Sequence, residues 1–350
     1  MSSPRNHLSK EECLKRLAAE NFKRLTLSFY RYVRIEKPRE FRDQLFLEWD
    51  ALGVFGRIYV AREGINAQLS VPEHNVEALK KCLNDREELR DLRLNWGLEH
   101  TESFYKLMIK VRPQIVTDGL PEDAYDLNNT GTHLNADQFN KALEDPNAVV
   151  VDMRNFYESR IGRFEDAICP DAPTFKEELP LVKEMLKGKE DKKILMYCTG
   201  GIRCEKASAY LKHQGFTDVS QLEGGVIKYV RDLREQKKDS KFLGKNFVFD
   251  ERISETVTDD ILTECDQCES KWDIYTNCSN ASCNLLFIQC PACAEKWAGA
   301  CSEPCREIAV MDLEDRRAFY ARQTSTTYEV YKSRIRPSLK ATKVRASQAL

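Results

Sequence analysis

The sequence predicts a multidomain α/β protein: an α+β domain first, a parallel α/β domain in the centre, and a cysteine-rich module with a basic tail at the end. Before residue 112, strand and helix patterns follow the order β-α-β-β-α-β. After residue 133, short and continuously apolar strands alternate with helices, as in a parallel sheet that is buried on both faces. Eight of the 13 cysteines then lie between Cys265 and Cys305.

Composition excludes several classes of protein. The 350 residues include 54 Lys and Arg against 56 Asp and Glu, a net charge of −2, so any contact with nucleic acid has to come from a local basic patch. No apolar run approaches the roughly 20 residues that cross a membrane. The N-terminus lacks the apolar core of a signal peptide. We therefore expect a cytoplasmic protein without membrane contact, whose thiols stay reduced.

The first domain is predicted at residues 25–111, after an N-terminal helix or extension at 1–24. Its helices are expected at 38–52, with proline in the first turn, and at 72–83. Its strands are expected at 25–33, 54–61, 65–71, 92–98 and 107–111. The β-α-β-β-α-β order is typical of the ferredoxin-like fold of the acylphosphatase type. Because this fold serves many purposes, an adaptor domain without chemistry is one interpretation.

The second domain is predicted at residues 133–240, after a linker at 112–132 that is rich in Pro, Gly, Asp and Asn. Apolar runs at 148–152 and 192–198 predict two of its parallel strands, and a helix is expected from about residue 204 to 214.

The central motif connects the strand at 192–198 to the next helix and reads Cys198-Thr199-Gly200-Gly201-Ile202-Arg203-Cys204. A cysteine at this junction faces backbone N–H groups and the positive end of a helix dipole, which favour the thiolate, as does a nearby Arg203. The two glycines let the backbone curl around an anion or a sulfur. The alternative is a buried structural thiol.

Two further sequence blocks accompany this loop. Asp152-Met153-Arg154, followed by Glu158 and Gly162, precedes it, and Leu222-Glu223-Gly224-Gly225 follows it. With the C-x-x-G-x-R loop, these blocks resemble the rhodanese domain, except that Arg163 stands where rhodaneses usually have histidine. The resemblance implies that Cys198 is the nucleophile, which takes sulfur as a persulfide, that residues 199–203 form its cradle with Arg203, and that Asp152, Arg154 and Glu158 support the loop.

Cys204 has two interpretations. It could resolve a persulfide or sulfenate on Cys198 by forming a disulfide. Equally, it could be a thiol that packs against the sheet at the start of the helix.

The resemblance extends over nearly the whole chain, up to about Cys305. The segments that carry it are GRIYVAREGINAQLSVP (56–72), MYCTGGIRCEKASAYLKHQGF (196–216), GKNFVFDER (244–252) and LLFIQCPACAEK (285–296). They are similar to the bacterial rhodanese-domain tRNA uridine hydroxylases. This similarity implies an oxidoreductase that acts on tRNA and forms 5-hydroxyuridine at the wobble position with molecular oxygen as co-substrate.

The sequence offers no cofactor for that reaction. No G-x-G-x-x-G follows a strand, so neither a dinucleotide site nor a flavin site is visible. The chemistry is therefore expected at the Cys198 thiolate, and one hypothesis is cysteine addition at C6 of uracil, which makes C5 nucleophilic. A rhodanese-type sulfurtransferase with a Cys198 persulfide, or a noncatalytic tRNA-binding scaffold, are the alternatives. The sequence identifies no protein partner.

The module predicted at residues 241–310 contains four cysteine pairs. They are Cys265 and Cys268, Cys278 and Cys283, Cys290 and Cys293, and Cys301 and Cys305. This spacing is typical of structural zinc, and two sites of four thiolates would use all eight. Iron–sulfur ligation and metal-free thiols are the alternatives, and the pairs could combine in alternating or sequential order. The basic tail at 311–350 is expected to be disordered, either contacting phosphates or simply solvated.

Overall fold

The computed structural model describes residues 4–98 and 102–322, and the description below applies to these residues. The first helix, α1 (Lys10–Ala18), begins at Ser9, whose hydroxyl caps the N–H of Glu12. None of the helices in the described part of the chain is both long enough and apolar enough to cross a membrane.

The first domain is a five-stranded sheet with two helices on one face. Its strands are β1 (Arg24–Tyr32), β2 (Phe55–Ala61), β3 (Gly64–Pro72), β4 (Asn95–Trp96) and β5 (Leu107–Val111). Their order is β4-β1-β3-β2-β5, antiparallel except that β5 runs parallel to β2. The first four strands reproduce the predicted ferredoxin-like arrangement, and β5 extends it at one edge.

Alternation along the strands divides the side chains of this sheet between its two faces. Leu27, Ile58 and Ala67 lie on the apolar face, in the same buried core as residues of α2 (Pro38–Ala51) and α3 (Val76–Asn84). The opposite face carries polar side chains and remains uncovered by these two helices.

Residues 112–131 contain no helix or strand, as the sequence predicts for a linker. They nevertheless pack against the protein, because Ile115, Asp118 and Tyr125 are buried.

The second domain is a parallel sheet with helices around it, as predicted. Its strands are β6 (Thr132–Leu134), β7 (Val149–Asp152), β9 (Lys193–Tyr197) and β10 (Asp218–Leu222), in the order β6-β10-β9-β7. Its helices are α4 (Ala136–Ala142), α5 (Phe156–Ser159), α6 (Phe175–Met185), α7 (Ile202–His213) and α8 (Gly225–Gln236). Strand β8 (Gly162–Phe164) lies outside this sheet and pairs with β11 (Phe242–Phe247).

The cysteine-rich module follows from β11. A second strand, β12 (Ser254–Thr256), pairs with β11 on the side away from β8. Strands β13 (Tyr275–Asn277) and β14 (Leu286–Ile288) form a separate antiparallel pair. The helices are α9 (Pro291–Lys296), α10 (Glu303–Ala309) and α11 (Leu313–Arg322).

Helix α11 corrects one prediction, because the tail from residue 311 was expected to be disordered. The Asp312 carboxylate accepts the N–H of Asp315 at 2.9 Å, which caps the helix. The Tyr320 hydroxyl donates to the side-chain oxygen of Asn280 at 3.0 Å, which attaches the helix to the cysteine-rich module. Beyond residue 322, the predicted tail lies outside the described residues.

Candidate active site

The Cys198 loop joins β9 to α7 at the carboxyl end of the parallel sheet. Gly201 has a positive φ of 98°, which turns the chain into α7. Its N–H donates a hydrogen bond to the Cys198 sulfur at 3.1 Å. Because the Cys198 side chain is fully buried, the loop holds the sulfur beneath the backbone.

The surroundings of Cys198 favour its thiolate. Burial raises the pKa of this thiol, but a hydrogen bond from Cys204, the positive charge of Arg203 and the loop N–H groups outweigh it and lower the pKa to about 6. Burial and the adjacent Cys198 sulfur raise the pKa of Cys204 well above the ordinary value. At neutral pH, Cys198 is therefore the thiolate and Cys204 the protonated thiol that donates to it.

Arg203 is held by a carboxylate. Its Nη1 and Nη2 lie 2.6 and 2.9 Å from the two oxygens of Glu158, which is fully buried in α5. The Thr199 hydroxyl donates to the same carboxylate at 3.0 Å. The guanidinium N–H groups of Arg203 that face Glu158 are used in this two-point contact. The Arg203 side chain therefore stabilises the Cys198 thiolate through its positive charge.

The Leu222–Gly225 block supports the loop from the other side. Val226 at the start of α8 donates its N–H to the carbonyl of Cys198 at 3.0 Å. At Gly225, where φ is 66°, a Cβ atom would lie only 2.5 Å from the same carbonyl oxygen. Glycine at this position is therefore what allows α8 to approach the Cys198 loop.

Asp152 and Arg154 form a second buried ion pair at the end of β7. Arg154 Nε and Nη2 lie 2.8 and 2.6 Å from the two Asp152 oxygens, and Nη2 also donates to the carbonyl of Gly162 at 2.6 Å. The Tyr197 hydroxyl donates to Asp152 at 2.7 Å. This pair connects the strand before Cys198 to the segment that enters β8.

The first domain contacts the active-site helix directly, which the adaptor interpretation did not anticipate. The Tyr30 hydroxyl of β1 donates to Glu205 of α7 at 2.8 Å. Lys206 Nζ lies 2.9 Å from a carboxylate oxygen of Glu63, in the turn between β2 and β3, and its side chain is 1% exposed. These contacts fix α7, and therefore the Cys198 loop, against the first domain.

Glu178 is a second feature that the sequence analysis missed. It is fully buried on α6, and neither carboxylate oxygen has a hydrogen-bond partner among the described residues. Burial raises the pKa of this carboxyl group well above its ordinary value. The signal was present in the sequence, because Glu178 falls on the apolar stripe of α6 with Phe175, Leu179 and Val182.

A cavity of about 430 Å³ lies between the polar face of the first sheet and the Cys198 loop. Thr199, Gly200 and Arg203 contribute to its lining, whereas the Cys198 side chain does not. Phe175 and Phe249 provide apolar surface. Its volume is within the range of about 300–1,000 Å³ that is typical of small-molecule sites.

The eight module cysteines gather in two groups of four, which resolves the pairing that the sequence left open. Cys265, Cys268, Cys290 and Cys293 form the first group, and Cys278, Cys283, Cys301 and Cys305 form the second. The arrangement is therefore the alternating one, in which the pairs of the two groups interleave along the chain.

The sulfur spacing in both groups fits a tetrahedral ion. Four sulfurs at 2.3 Å from a central zinc lie about 3.8 Å apart. The sulfurs of Cys268 and Cys290 lie 3.6 Å apart in the first group. In the second group, Cys301 Sγ lies 3.7 Å from Cys283 Sγ and 3.8 Å from Cys305 Sγ. These distances are too long for disulfides.

Three family models match the chain in succession. The model described as UPF0176 acylphosphatase like domain matches residues 24–115, the Rhodanese-like domain matches 135–232, and the Rhodanase C-terminal model matches 243–306. The predicted fold class is thereby confirmed for the first two domains, and the third model covers the cysteine-rich module.

Whole-chain relatives are also similar. A tRNA uridine(34) hydroxylase of Leptospira interrogans is 50% identical over 335 residues, which cover 95% of this chain and 91% of the relative. The tRNA uridine(34) hydroxylase of Photorhabdus laumondii is 49% identical over 315 residues, which cover 89% of this chain and 90% of the relative. At this identity and coverage, the chain belongs to the tRNA uridine(34) hydroxylase family.

Proposed function

We propose that this protein hydroxylates the wobble uridine, position 34 of tRNA, to 5-hydroxyuridine, with Cys198 as the reactive thiol. The observation that carries the proposal is a stabilised thiolate in a loop that lines a cavity shared by the first domain, the parallel α/β domain and the segment around Phe249. Relatives that match nearly the whole chain are named tRNA uridine(34) hydroxylase.

The sulfur of Cys198 lies behind the backbone of its loop and does not line the cavity. Because the Cys198 side chain is fully buried, a base in the cavity reaches the sulfur only when the loop backbone moves. The space beside Gly200 is open, since a Cβ at this residue would have no atom within 4 Å. Addition of the sulfur to C6 of uracil would then form an S–C6 bond and place the electron pair of the C5=C6 bond at C5.

Oxygen dependence is part of the proposal. Conversion of a C5–H to a C5–OH by molecular oxygen releases the second oxygen atom as water and consumes two electrons and two protons. The enzyme would therefore be an oxidoreductase with an external two-electron donor. We place the reaction in the cytoplasm, where tRNA is available and thiols stay reduced.

Zinc is proposed as a structural ion in both cysteine groups. A site closed by four thiolates leaves no position for substrate, so the ion would supply folding energy rather than chemistry. The Cys265 and Cys278 groups would each hold one ion and order a module with few large aliphatic residues.

Nucleoside analysis of tRNA tests the function. Purified protein is incubated with unmodified tRNA and an electron donor, under air and then under nitrogen, and the digested nucleosides are measured by mass spectrometry. We expect 5-hydroxyuridine under air only, and none with the Cys198→Ser variant.

Other outcomes would favour other functions. Equal product under nitrogen would contradict the use of molecular oxygen. In a deletion strain, loss of thiouridine instead of 5-hydroxyuridine would indicate a sulfurtransferase, and unchanged tRNA would indicate a noncatalytic binding protein. Trapping of a uridine–Cys198 adduct would support addition at C6, whereas turnover by Cys198→Ala would exclude it.

A further inference from the structure

The polar face of the first sheet forms one wall of the cavity beside the Cys198 loop. Side chains at alternate positions of its three central strands lie on this face: Ser28 and Tyr30, Arg57 and Tyr59, and Asn66 and Gln68. All six line the cavity. A sheet face that is polar and lines a cavity can form hydrogen bonds to a ligand.

The strand register arranges these side chains in two rows. Asn66 lies opposite Tyr30 on one side and Tyr59 on the other. This row borders the active loop, because the Tyr30 hydroxyl lies 3.0 Å from the point that a Cβ on Gly201 would occupy.

The second row is one step further along the strands. It places Gln68 opposite Ser28 on β1 and opposite Arg57 on β2. Because Asn66 and Gln68 are two residues apart on β3, their amide groups point into the same cavity.

The hydrogen-bonding groups of this wall are largely unused by the protein. Within the described residues, neither the Gln68 amide nor the Tyr59 hydroxyl forms a hydrogen bond, and the Asn66 amide has only a long contact of 3.5 Å to the carbonyl of Ile115. Three partly exposed polar groups therefore remain available to a ligand.

The charges in the cavity indicate what kind of ligand fits. The carboxylates of Asp250 and Glu255 are paired with Arg252. Arg57 forms no ion pair in the described part of the chain, and its hydrogen bond is to the carbonyl of Phe249 at 3.4 Å. Such a cavity suits an uncharged, planar group that carries hydrogen-bond donors and acceptors and is attached to one anionic group. It is less suited to a dianion such as thiosulfate.

We propose that Asn66 and Gln68 hold the hydrogen-bonding edge of the uracil base, that Tyr59 provides a stacking surface, and that Arg57 contacts the phosphate of the same nucleotide. Uracil offers N3–H as a donor between two carbonyl acceptors, and an amide side chain offers the complementary pair. Bases of single-stranded loops are commonly recognised in this way, by their edges and by aromatic stacking. This inference deepens the proposed function and rests on it.

The test combines changes in the protein with a change in the base. Anticodon stem–loop RNAs carry either uridine or 3-methyluridine at position 34, and the methyl group removes the N3–H donor. The proteins are the native chain, Asn66→Leu, Gln68→Leu and the control Gln44→Leu, which changes an exposed amide on α2, away from the polar face. Binding is measured by fluorescence anisotropy, and hydroxylation as kcat/KM.

We expect methylation to weaken binding to the native chain and to Gln44→Leu by about 10-fold to 100-fold, as for loss of a bidentate base contact. The two cavity variants should bind uridine RNA more weakly and should discriminate much less against 3-methyluridine. Equal discrimination by all four proteins would overturn the inference.

Two measurements separate other causes of failure. Asn66→Asp and Gln68→Glu keep the shape of the side chains while removing the amide donors, and circular dichroism reports whether each variant is folded. Because binding is measured without turnover, a native chain that forms no 5-hydroxyuridine but still discriminates against 3-methyluridine would contradict the proposed reaction and support the base contact.

Discussion

Arg160 Nη2 lies 2.8 Å from Asp266 Oδ1, and this ion pair joins the parallel α/β domain to the cysteine-rich module. Asp266 directly follows Cys265, a member of the first cysteine group. Arg160 directly follows α5, the helix that carries Glu158. The carboxylate that holds Arg203 in the active site is therefore two residues from a contact with the proposed metal module.

Protein purified without chelator should contain about two zinc ions per chain, one for each cysteine group. Removal of zinc should unfold the module while the parallel sheet, which has its own core, stays folded. Elemental analysis and limited proteolysis measure these outcomes. A metal-free preparation with a protease-resistant module would refute the prediction, and a brown preparation containing iron would favour iron ligation.

The Arg160–Asp266 ion pair should couple the structure of the cysteine-rich module to the rate of hydroxylation. In Asp266→Asn all eight cysteines remain, so zinc content should be unchanged, while loss of the ion pair loosens the segment that carries Glu158. We expect slower hydroxylation at normal metal content. Full activity in this variant would show that the module acts only through overall stability.

The hydroxylation rate should depend on the protonation of Cys198. In the proposed mechanism the thiolate is the reactive form. Because the pKa of Cys198 is about 6, the rate should then rise as the pH passes through 6 and level off above it. Cys198→Ser should abolish activity without unfolding the protein, since a serine hydroxyl is far less ionised at neutral pH. A rate independent of pH between 5 and 8 would contradict the assignment.

The same pKa affects stability. In the unfolded chain a cysteine titrates near 8.5, so between about pH 6 and 8.5 the unfolded state binds the proton that the folded state has lost. The native chain should therefore gain stability relative to Cys198→Ser as the pH rises through this window, and lose it as the pH falls towards 6. Urea denaturation at pH 6 and pH 8 measures the difference.

Arg203→Lys should raise the pKa of Cys198 and slow turnover. An ammonium group can contact only one Glu158 oxygen at a time, so the two-point contact with the carboxylate is lost and the charge near the sulfur moves. Arg154→Lys is the matched control, because it breaks a similar buried fork with Asp152. In both variants the free energy of unfolding should fall by about 1–3 kcal/mol. The pKa of the Cys198 thiol should shift mainly in Arg203→Lys.

Gly225→Ala should disrupt the Cys198 loop. Alanine at a position with a positive φ lowers stability by about 1–2 kcal/mol. At Gly225 the added Cβ would also lie only 2.5 Å from the carbonyl oxygen of Cys198. Gly188 has a φ of 78° with no atom within 4 Å of the added Cβ, so Gly188→Ala carries the backbone cost alone. The melting temperature and the turnover rate should both be lower for Gly225→Ala than for Gly188→Ala. Equal effects would contradict the clash.

The elements of the fold were largely predictable, because they depend on local patterns. The strand predicted at 107–111 coincides with β5, and the helix predicted at 38–52 differs from α2 by one residue. The loop around Cys198 was also identified from its glycines and its position between a strand and a helix.

The rest depends on contacts between distant parts of the chain. Nothing local to Tyr30 or Glu63 shows that they contact α7, and cysteine spacing alone does not show which pairs share a site. The helix that includes Tyr320 was missed because its anchor, Asn280, lies 40 residues away in sequence.

The interleaving of the two cysteine groups has a consequence for how metal is taken up. Closure of the first group, from Cys268 to Cys290, restrains the loop between them, and that loop contains Cys278 and Cys283 of the second group. If each group holds the proposed zinc ion, binding of the first ion would remove part of the chain entropy that the second ion would otherwise have to overcome. Zinc should bind with positive cooperativity, so that partly loaded preparations contain mainly empty and doubly filled chains and few with a single ion.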